Sequence, residues 1–324
     1  MRNIYTVFII ILILSSFGGC KPSPEESKQE AIKMMTAQTL GLAYLEEFKL
    51  DEAEGEFLKY IKMAPDDKLG YANLGLTYLR MGKYSEAEKQ LLKAINIDKN
   101  DADVSLILAT VYQMNDERGK AISVLNEALS TTPGHFKILY NLAELYSVDS
   151  DTKSQDLRKN CIVQLAEKAP GNIVPQLSLT EIFINSNEPD KAIERLELIA
   201  KQFPEFPKEA IGFYNKTLDL LRKDDLANAA VQFAFFHNYM KVTSPYQSGI
   251  MDLKGPGGSL IGFPLIIYNQ KLITQVVGNK SLLDIIKFTE VSESAGLNLI
   301  APGTEGSFPD LGKLSHVKAA DYDG

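Results

Sequence analysis

Few side chains in this 324-residue sequence are of types that carry out chemistry, and they are widely separated. Its two cysteines are Cys20 and Cys161, and its three histidines lie too far apart in sequence to supply metal ligands at helical spacing. Near the end, Asp321 and Asp323 alternate with a tyrosine and precede Gly324, which is how an oxygen-ligand loop for calcium begins. The candidate chemistry is therefore limited to isolated thiols and the first two ligands of a calcium loop.

Other catalytic patterns are missing from the sequence. It has no G-x-S-x-G nucleophile turn and no pair of carboxylates that stands apart from the solvated helix faces. The glycine-rich stretch "KGPGGSLIGFP" lacks the Lys-Ser/Thr step of a nucleotide loop, so it is interpreted as a turn between domains. Hydrophobic neighbours indicate that Cys161 is a packing residue of a helix. We predict a protein that is not an enzyme and that holds no cofactor within these residues.

The overall charge excludes one large class of partner. The formal net charge is -8 and the isoelectric point is near 5.1, with no block of Lys and Arg. Nucleic-acid binding needs a basic stripe that neutralises phosphates, so no nucleic-acid partner is predicted. The sequence contains no tryptophan, which counts against a glycan-binding site built on stacked indole rings.

The N-terminus has the pattern of a targeting signal. Arg2 precedes a short apolar run, "VFIIILIL", that is too short to span a bilayer. The following "SSFGGC" resembles the lipobox of bacterial lipoproteins, with Phe17 in place of the usual Leu. This resemblance implies a signal peptide over residues 1–19, an acylated Cys20 and a polar tether over residues 20–33. It also implies a bacterial cell-envelope protein that is lipid-anchored to the membrane and faces the periplasm or the outside.

A 34-residue period runs through the middle of the chain, and this period is typical of tetratricopeptide repeats. Leu and Tyr recur four residues apart on each first helix, where they form one apolar stripe. Small residues recur at the helix crossings, where they let partner helices approach closely. The repeated positions are Gly41, Gly75, Ala109 and Ala143; Tyr44, Tyr78, Tyr112 and Tyr146; and Ala53, Ala87 and Ala121.

The sequence resembles the tetratricopeptide-repeat family over residues 34–245. Three clear units occupy residues 34–67, 68–101 and 102–135, the fourth carries an insertion, the fifth is readable and the sixth is weaker. The predicted fold is all-α, a right-handed solenoid of helical hairpins in five to six units, followed by a short β-rich segment. At least three stacked units are needed for stability, and this chain has enough of them.

Solenoids of this family present a concave groove that is lined by the first helices. None of the residues predicted to line it is Lys or Arg, so the groove suits an apolar or extended peptide, or another part of the same protein. The alternative is that some of these residues only pack between repeats. The predicted lining residues are Gln38, Leu42, Ala72, Leu76, Leu106, Thr110, Tyr140 and Glu144.

The pattern changes after residue 245, where we predict a linker over residues 246–263 and a β-rich segment over residues 264–324. "KFTEVSESAGLN" and the final "DYDG" resemble the opening blade of FG-GAP (VCBS-type, ASPIC/UnbV-like) β-propellers, in which such a segment precedes D-x-D-G-D-G. The resemblance implies that the sequence is a fragment cut within the first blade. It also implies that Asp321 and Asp323 belong to an incomplete loop, with calcium possible in the full-length protein.

Together these features predict a non-catalytic scaffold that is anchored to a membrane and binds a protein or peptide in the concave face of its solenoid. Two alternatives stay open at this point. The solenoid could instead support a C-terminal propeller that binds a ligand or does chemistry. It could also belong to a surface glycan-binding lipoprotein.

Overall fold

The structure is a computed structural model of the chain, and it describes residues 23–254 and Leu265. Between residues 23 and 254 the chain forms thirteen α-helices, with no strand among them. None of these helices is both long and apolar enough to cross a bilayer. The helices are α1 (Pro24–Glu46), α2 (Leu50–Met63), α3 (Lys68–Arg80), α4 (Tyr84–Ile97), α5 (Ala102–Met114), α6 (Arg118–Thr131), α7 (Phe136–Ser147), α8 (Thr152–Lys168), α9 (Ile173–Asn185), α10 (Pro189–Gln202), α11 (Lys208–Leu221), α12 (Leu226–Met240) and α13 (Ser244–Lys254).

Successive helices pair into hairpins, from α1 with α2 to α11 with α12. Through the first five hairpins, each second helix also packs against the first helix of the next hairpin, so a hairpin contacts mainly its neighbours in sequence. This is the arrangement of a helical-repeat solenoid, in which a continuous core is built by stacking. The predicted all-α solenoid of helical hairpins is confirmed, while the predicted β-rich segment lies outside the described residues apart from Leu265.

The small residues of the repeat lie at the helix crossings, as their type predicts. Ala87 of α4 is fully buried, and a Cβ added to Gly75 of α3 would lie only 2.6 Å from the Leu91 side chain. A Cβ at that distance would force the Leu91 side chain or its helix to shift, so glycine allows the close approach of α3 and α4. The hairpin therefore closes through a small residue on one helix and a large one on the other.

Helix starts and hairpin turns repeat along the chain as well. Asp67 and Asp101 stand just before α3 and α5, and each accepts hydrogen bonds from backbone N–H groups of the first turn. The turns inside the first three hairpins each contain one residue with positive φ, at Phe48, Gly82 and Asp116. Capping carboxylates thus mark where α3 and α5 begin, and left-handed residues lie where the first three hairpins reverse.

Two stretches differ from their predicted structure. The residues predicted as a tether are helical from Pro24 onward, because Ser23 and Glu26 form a capping box that starts α1. The stretch predicted as a linker from residue 246 begins inside α13, which ends at Lys254. Both stretches read as polar or irregular in sequence. The first is helical because the capping box starts α1 early. The second is helical where α13 packs against α7 and α9.

The last hairpin packs differently from those before it. Its second helix, α12, lies against α9, while α11 lies against α10. Aromatic rings fill this end of the solenoid, and the ring of Phe236 lies 5.1 Å from Phe206 and 5.5 Å from Tyr214. The chain then turns back, so that α13 reaches the first helices of the fourth and fifth hairpins.

Candidate functional site

The residues predicted to line the concave groove all lie on the first helices of their hairpins. Six of the eight are buried, Thr110 is half-buried and Glu144 is exposed. The buried positions are packed against other parts of the chain, so the concave face is not an open groove there. The eight residues lie in pairs on α1 (Gln38, Leu42), α3 (Ala72, Leu76), α5 (Leu106, Thr110) and α7 (Tyr140, Glu144).

Helix α13 covers part of this face, beside two of the predicted residues. Burial raises the pKa of the Tyr246 phenol on α13, and the nearby carboxylates of Glu144 and Glu181 raise it further. Burial also raises the pKa of Tyr140, with smaller contributions from Glu144 and Tyr246. The structure therefore brings Tyr140 and Glu144 together with a segment of the same chain, one of the occupants that the sequence allowed.

A hydrogen bond to the main chain holds α13 against α9. Asn172 stands just before α9, where its Oδ1 accepts a hydrogen bond from the Val174 backbone N–H at 3.0 Å. Its Nδ2 donates to the Gly249 carbonyl of α13, also at 3.0 Å. One asparagine side chain therefore caps a helix of the solenoid and binds the helix that lies across it.

A second asparagine binds the main chain beyond α13. Asn73 on α3 donates from Nδ2 to the Leu265 carbonyl at 3.2 Å and accepts from the Leu265 backbone N–H at Oδ1, at 2.9 Å. Asn73 is 1% exposed and Leu265 is 3% exposed, so both hydrogen bonds are buried. Leu265 lies outside any helix or strand. The carboxamide therefore forms hydrogen bonds with both polar main-chain groups, the N–H and the C=O, of a single residue.

Sequence reasoning did not single out Asn73 or Asn172. A signal for Asn73 exists, because it stands between Ala72 and Leu74 in a helix whose middle is otherwise largely apolar. A buried carboxamide requires hydrogen-bond partners, and asparagine is a poor helix former. Asn73 lies on a first helix, α3, as the predicted lining residues Ala72 and Leu76 do. The periodic pattern alone does not distinguish it from a solvated polar residue.

A small cavity lies between α9 and α12 and has a volume of about 260 Å³. Its polar lining is supplied by Glu181, Asn185, His237, Asn238 and Lys241. Burial lowers the pKa of His237 to about 4, with help from the Lys241 charge, so the imidazole is neutral at neutral pH. Its Nε2 has no hydrogen-bond partner in the described part of the protein. The cavity presents a neutral imidazole but no nucleophile beside it.

The remaining chemistry-bearing residues divide into two groups. Cys161 is buried in α8, and burial raises the pKa of its thiol to about 11, so it stays protonated. This matches a packing residue rather than a nucleophile. Cys20, Asp321 and Asp323 lie outside the described residues. Among residues 23–254, no cluster of His, Cys, Asp and Glu is arranged to hold a metal ion.

The chain was compared with known protein families, curated proteins and solved structures. The family model of ChAPs (Chs5p-Arf1p-binding proteins) matches residues 72–201, which is less than half of the chain. No curated protein matches the sequence.

Solved structures match at low identity. PilF of Pseudomonas aeruginosa is 17% identical over 68% of this chain and 98% of PilF, with a TM-score of 0.46. A MamA crystal structure is 20% identical over 52% of this chain and 91% of MamA, with a TM-score of 0.43. YrrB, described as a TPR protein with an unusual peptide-binding site, is 17% identical over 56% of this chain and 94% of YrrB, with a TM-score of 0.43. At these scores the likenesses assign neither activity nor partner to this chain.

Proposed function

We propose that this protein is a membrane-anchored, non-catalytic scaffold that binds a protein or peptide segment in the concave face of its solenoid. The observation that carries the proposal is the pair of hydrogen bonds between Asn73 and the main chain of Leu265. They support a concave face able to hold a non-helical segment by its backbone. A partner that presents such a segment meets the same donor and acceptor.

The chemistry of the described residues favours binding over catalysis. The buried ionisable groups are held in inert states, with the Cys161 thiol protonated and the His237 imidazole neutral at neutral pH. The predicted lining residues carry no cation, so a partner's apolar or polar main-chain surface is favoured over an acidic tail.

The anchor is the second part of the proposal. In it, Cys20 is the acylated first residue of the mature protein, and the solenoid stands at the surface of a bacterial envelope membrane. Several acyl chains are needed for stable anchoring, because a single chain binds only marginally. We expect the wild-type protein in the membrane fraction of a bacterial host and Cys20→Ala in the soluble or unprocessed fraction. Recovery of all wild-type protein as soluble material would contradict the anchor.

The binding face is tested by site-specific photocrosslinking in cells. A benzoylphenylalanine at Glu144, which is exposed on the first helix α7, should yield an adduct heavier than the monomer. The matched control is Glu127, which is exposed on the second helix α6 and therefore faces the convex side. Mass spectrometry identifies the protein in the adduct, and calorimetry with the purified partner checks direct binding. Equal adducts at both positions would contradict a concave binding face.

A further inference from the structure

Two first helices of the solenoid, α3 and α9, already bind main chain from the C-terminal part of this protein through asparagine side chains. Asn172 binds the carbonyl of Gly249, and Asn73 binds both main-chain groups of Leu265. The two asparagines lie in different hairpins, on α3 and just before α9, yet their ligands are only sixteen residues apart in sequence. Two residues that are close in sequence, Gly249 and Leu265, therefore contact two different hairpins of the solenoid.

The contact at Gly249 depends on close backbone approach. A Cβ added there would lie 2.5 Å from Asn172 Oδ1 and 3.1 Å from the Val174 side chain. Glycine lets the main chain of α13 reach the carboxamide, and Leu253 one turn later is buried against the solenoid. Helix α13 is therefore closely packed against the solenoid at this position.

The contact at Leu265 combines two main-chain hydrogen bonds with burial of its side chain in the apolar core. Both polar atoms of the Asn73 side chain are used on Leu265, and the Asn73 backbone carbonyl instead accepts from Thr77 Oγ1 within α3. The carboxamide thus contributes no described hydrogen bond inside the solenoid. Any residue other than proline offers the same N–H and C=O, so an incoming segment can make these hydrogen bonds if it also places an apolar side chain where that of Leu265 is buried.

We propose that Leu265 is an internal ligand of the Asn73 side chain. A partner's non-helical segment binds there by displacing Leu265. The inference rests on the proposed function and adds to it the residue that recognises the partner's main chain and the internal competitor. Its regulatory consequence is that binding strengthens whenever the stretch carrying Leu265 is drawn away from the solenoid. Competition of this kind lowers the apparent affinity by the fraction of sites that are occupied internally.

The test uses the full chain and a fluorescein-labelled peptide of residues 261–270, "IGFPLIIYNQ", with binding read by fluorescence anisotropy. Leu265→Pro removes the N–H that Asn73 accepts, so this variant should bind the peptide about tenfold more tightly than the wild type. Adding Asn73→Ala to Leu265→Pro should weaken peptide binding by about tenfold. Thermal unfolding followed by circular dichroism checks that each variant is folded.

A matched control and a modified peptide separate recognition from structure. Asn141 stands two repeats after Asn73, and its Nδ2 donates to the Lys137 carbonyl of its own helix, so Asn141→Ala should leave peptide binding unchanged. A peptide with N-methyl-leucine at position 265 should bind about tenfold more weakly when Asn73 is present and show no further loss in Asn73→Ala. Equal binding of the two peptides, or no peptide binding at all, would overturn the inference. The crosslinking at Glu144 judges the scaffold function separately.

Discussion

The first three hairpins and the aromatic end of the solenoid are stabilised in different ways. In the first two hairpins a glycine of the first helix lies against a large apolar residue of the second, Gly41 against Phe57 and Gly75 against Leu91, so the same contact recurs in the next unit. At the other end, the ring of Phe206, just before α11, lies in mutual contact with those of Tyr214 on α11 and Phe236 on α12. One region is a series of similar local interfaces, and the other is a single shared cluster.

The difference teaches how a repeat array can end and turn back. Repeated interfaces contact only their neighbours, so they extend the solenoid without giving it a boundary. A cluster of large rings breaks the register and lets α12 pack against α9. It also positions the chain that follows, because Tyr246 of α13 lies beside His237 with ring centroids 5.8 Å apart. The irregular end therefore directs the C-terminal stretch onto the concave face.

The largest expected effect is loss of the aromatic cluster. Phe236 is fully buried, and Phe236→Ala should lower the free energy of unfolding of this end by about 4 kcal/mol. Because hairpins contact mainly their neighbours, hydrogen exchange should accelerate in α11 to α13 and stay slow in α3 to α6. The control is the adjacent Phe235→Ala, since Phe235 is 49% exposed and should cost far less. Uniform acceleration over the whole solenoid would mean that the two regions are not independent.

A second substitution tests the packing of the regular hairpins, α1 to α6. Ala87→Trp puts an indole at a helix crossing with no free space, and the cost should be about 3 kcal/mol or more. Chemical denaturation followed by circular dichroism measures the loss. Ala43→Trp, at an exposed position on α1, should change stability by no more than about 0.5 kcal/mol. Wild-type stability in Ala87→Trp would show that the repeat register is wrong.

The regular region is also the one whose structure could be predicted from sequence. The recurrence of Tyr44, Tyr78 and Tyr112 gives the helix phase and the hairpin length, because side-chain period and repeat length are local properties of the chain. The cap at Ser23 is local as well, yet the polar composition after it favoured a tether over the first turns of α1.

The covering of the concave face could not be predicted in the same way. Asn73 and Leu265 are 192 residues apart, and no periodic pattern links them. The groove residues Tyr140 and Glu144 were identified from their repeat positions, but Tyr246 beside them lay in a stretch that was interpreted as a linker. Such contacts depend on where the solenoid places distant helices, which is a tertiary property that sequence spacing does not contain.

A pH dependence is expected at the aromatic end, separate from that of His135 before α7, whose pKa burial also lowers. Unfolding returns His237 to an ordinary pKa near 6.5, whereas in the folded chain burial lowers it to about 4. The unfolded state therefore binds the proton first, and stability falls as the pH drops from about 6.5 toward 4. Between about pH 7 and pH 5 the loss should be about 2 kcal/mol.

The comparison variant for this pH dependence is His237→Gln, which has no ionisable group at that position. Wild type and variant share Glu181 and Lys241, the charged groups that line the same cavity, so the difference between their pH profiles isolates the imidazole. Hydrogen exchange should place the pH-dependent loss in α12 and the helices packed on it. Identical profiles for the two proteins would contradict a buried neutral histidine.

The smallest effect tests whether the regular interfaces add independently. Tyr78 donates to Glu54 of the preceding hairpin at 2.9 Å, and Tyr112 donates to Glu88 in the equivalent place at 2.8 Å. Each Tyr→Phe change should cost about 1 kcal/mol, because the lost hydrogen bond is partly buried. The two bonds share no partner, so the double variant should lose the sum of the single losses within about 0.5 kcal/mol.

The corresponding pair in the cluster, Tyr214→Leu with Phe236→Leu, should be non-additive, since those two rings touch. Additive losses in the cluster, or coupled losses between the two tyrosines, would remove the distinction between the two regions.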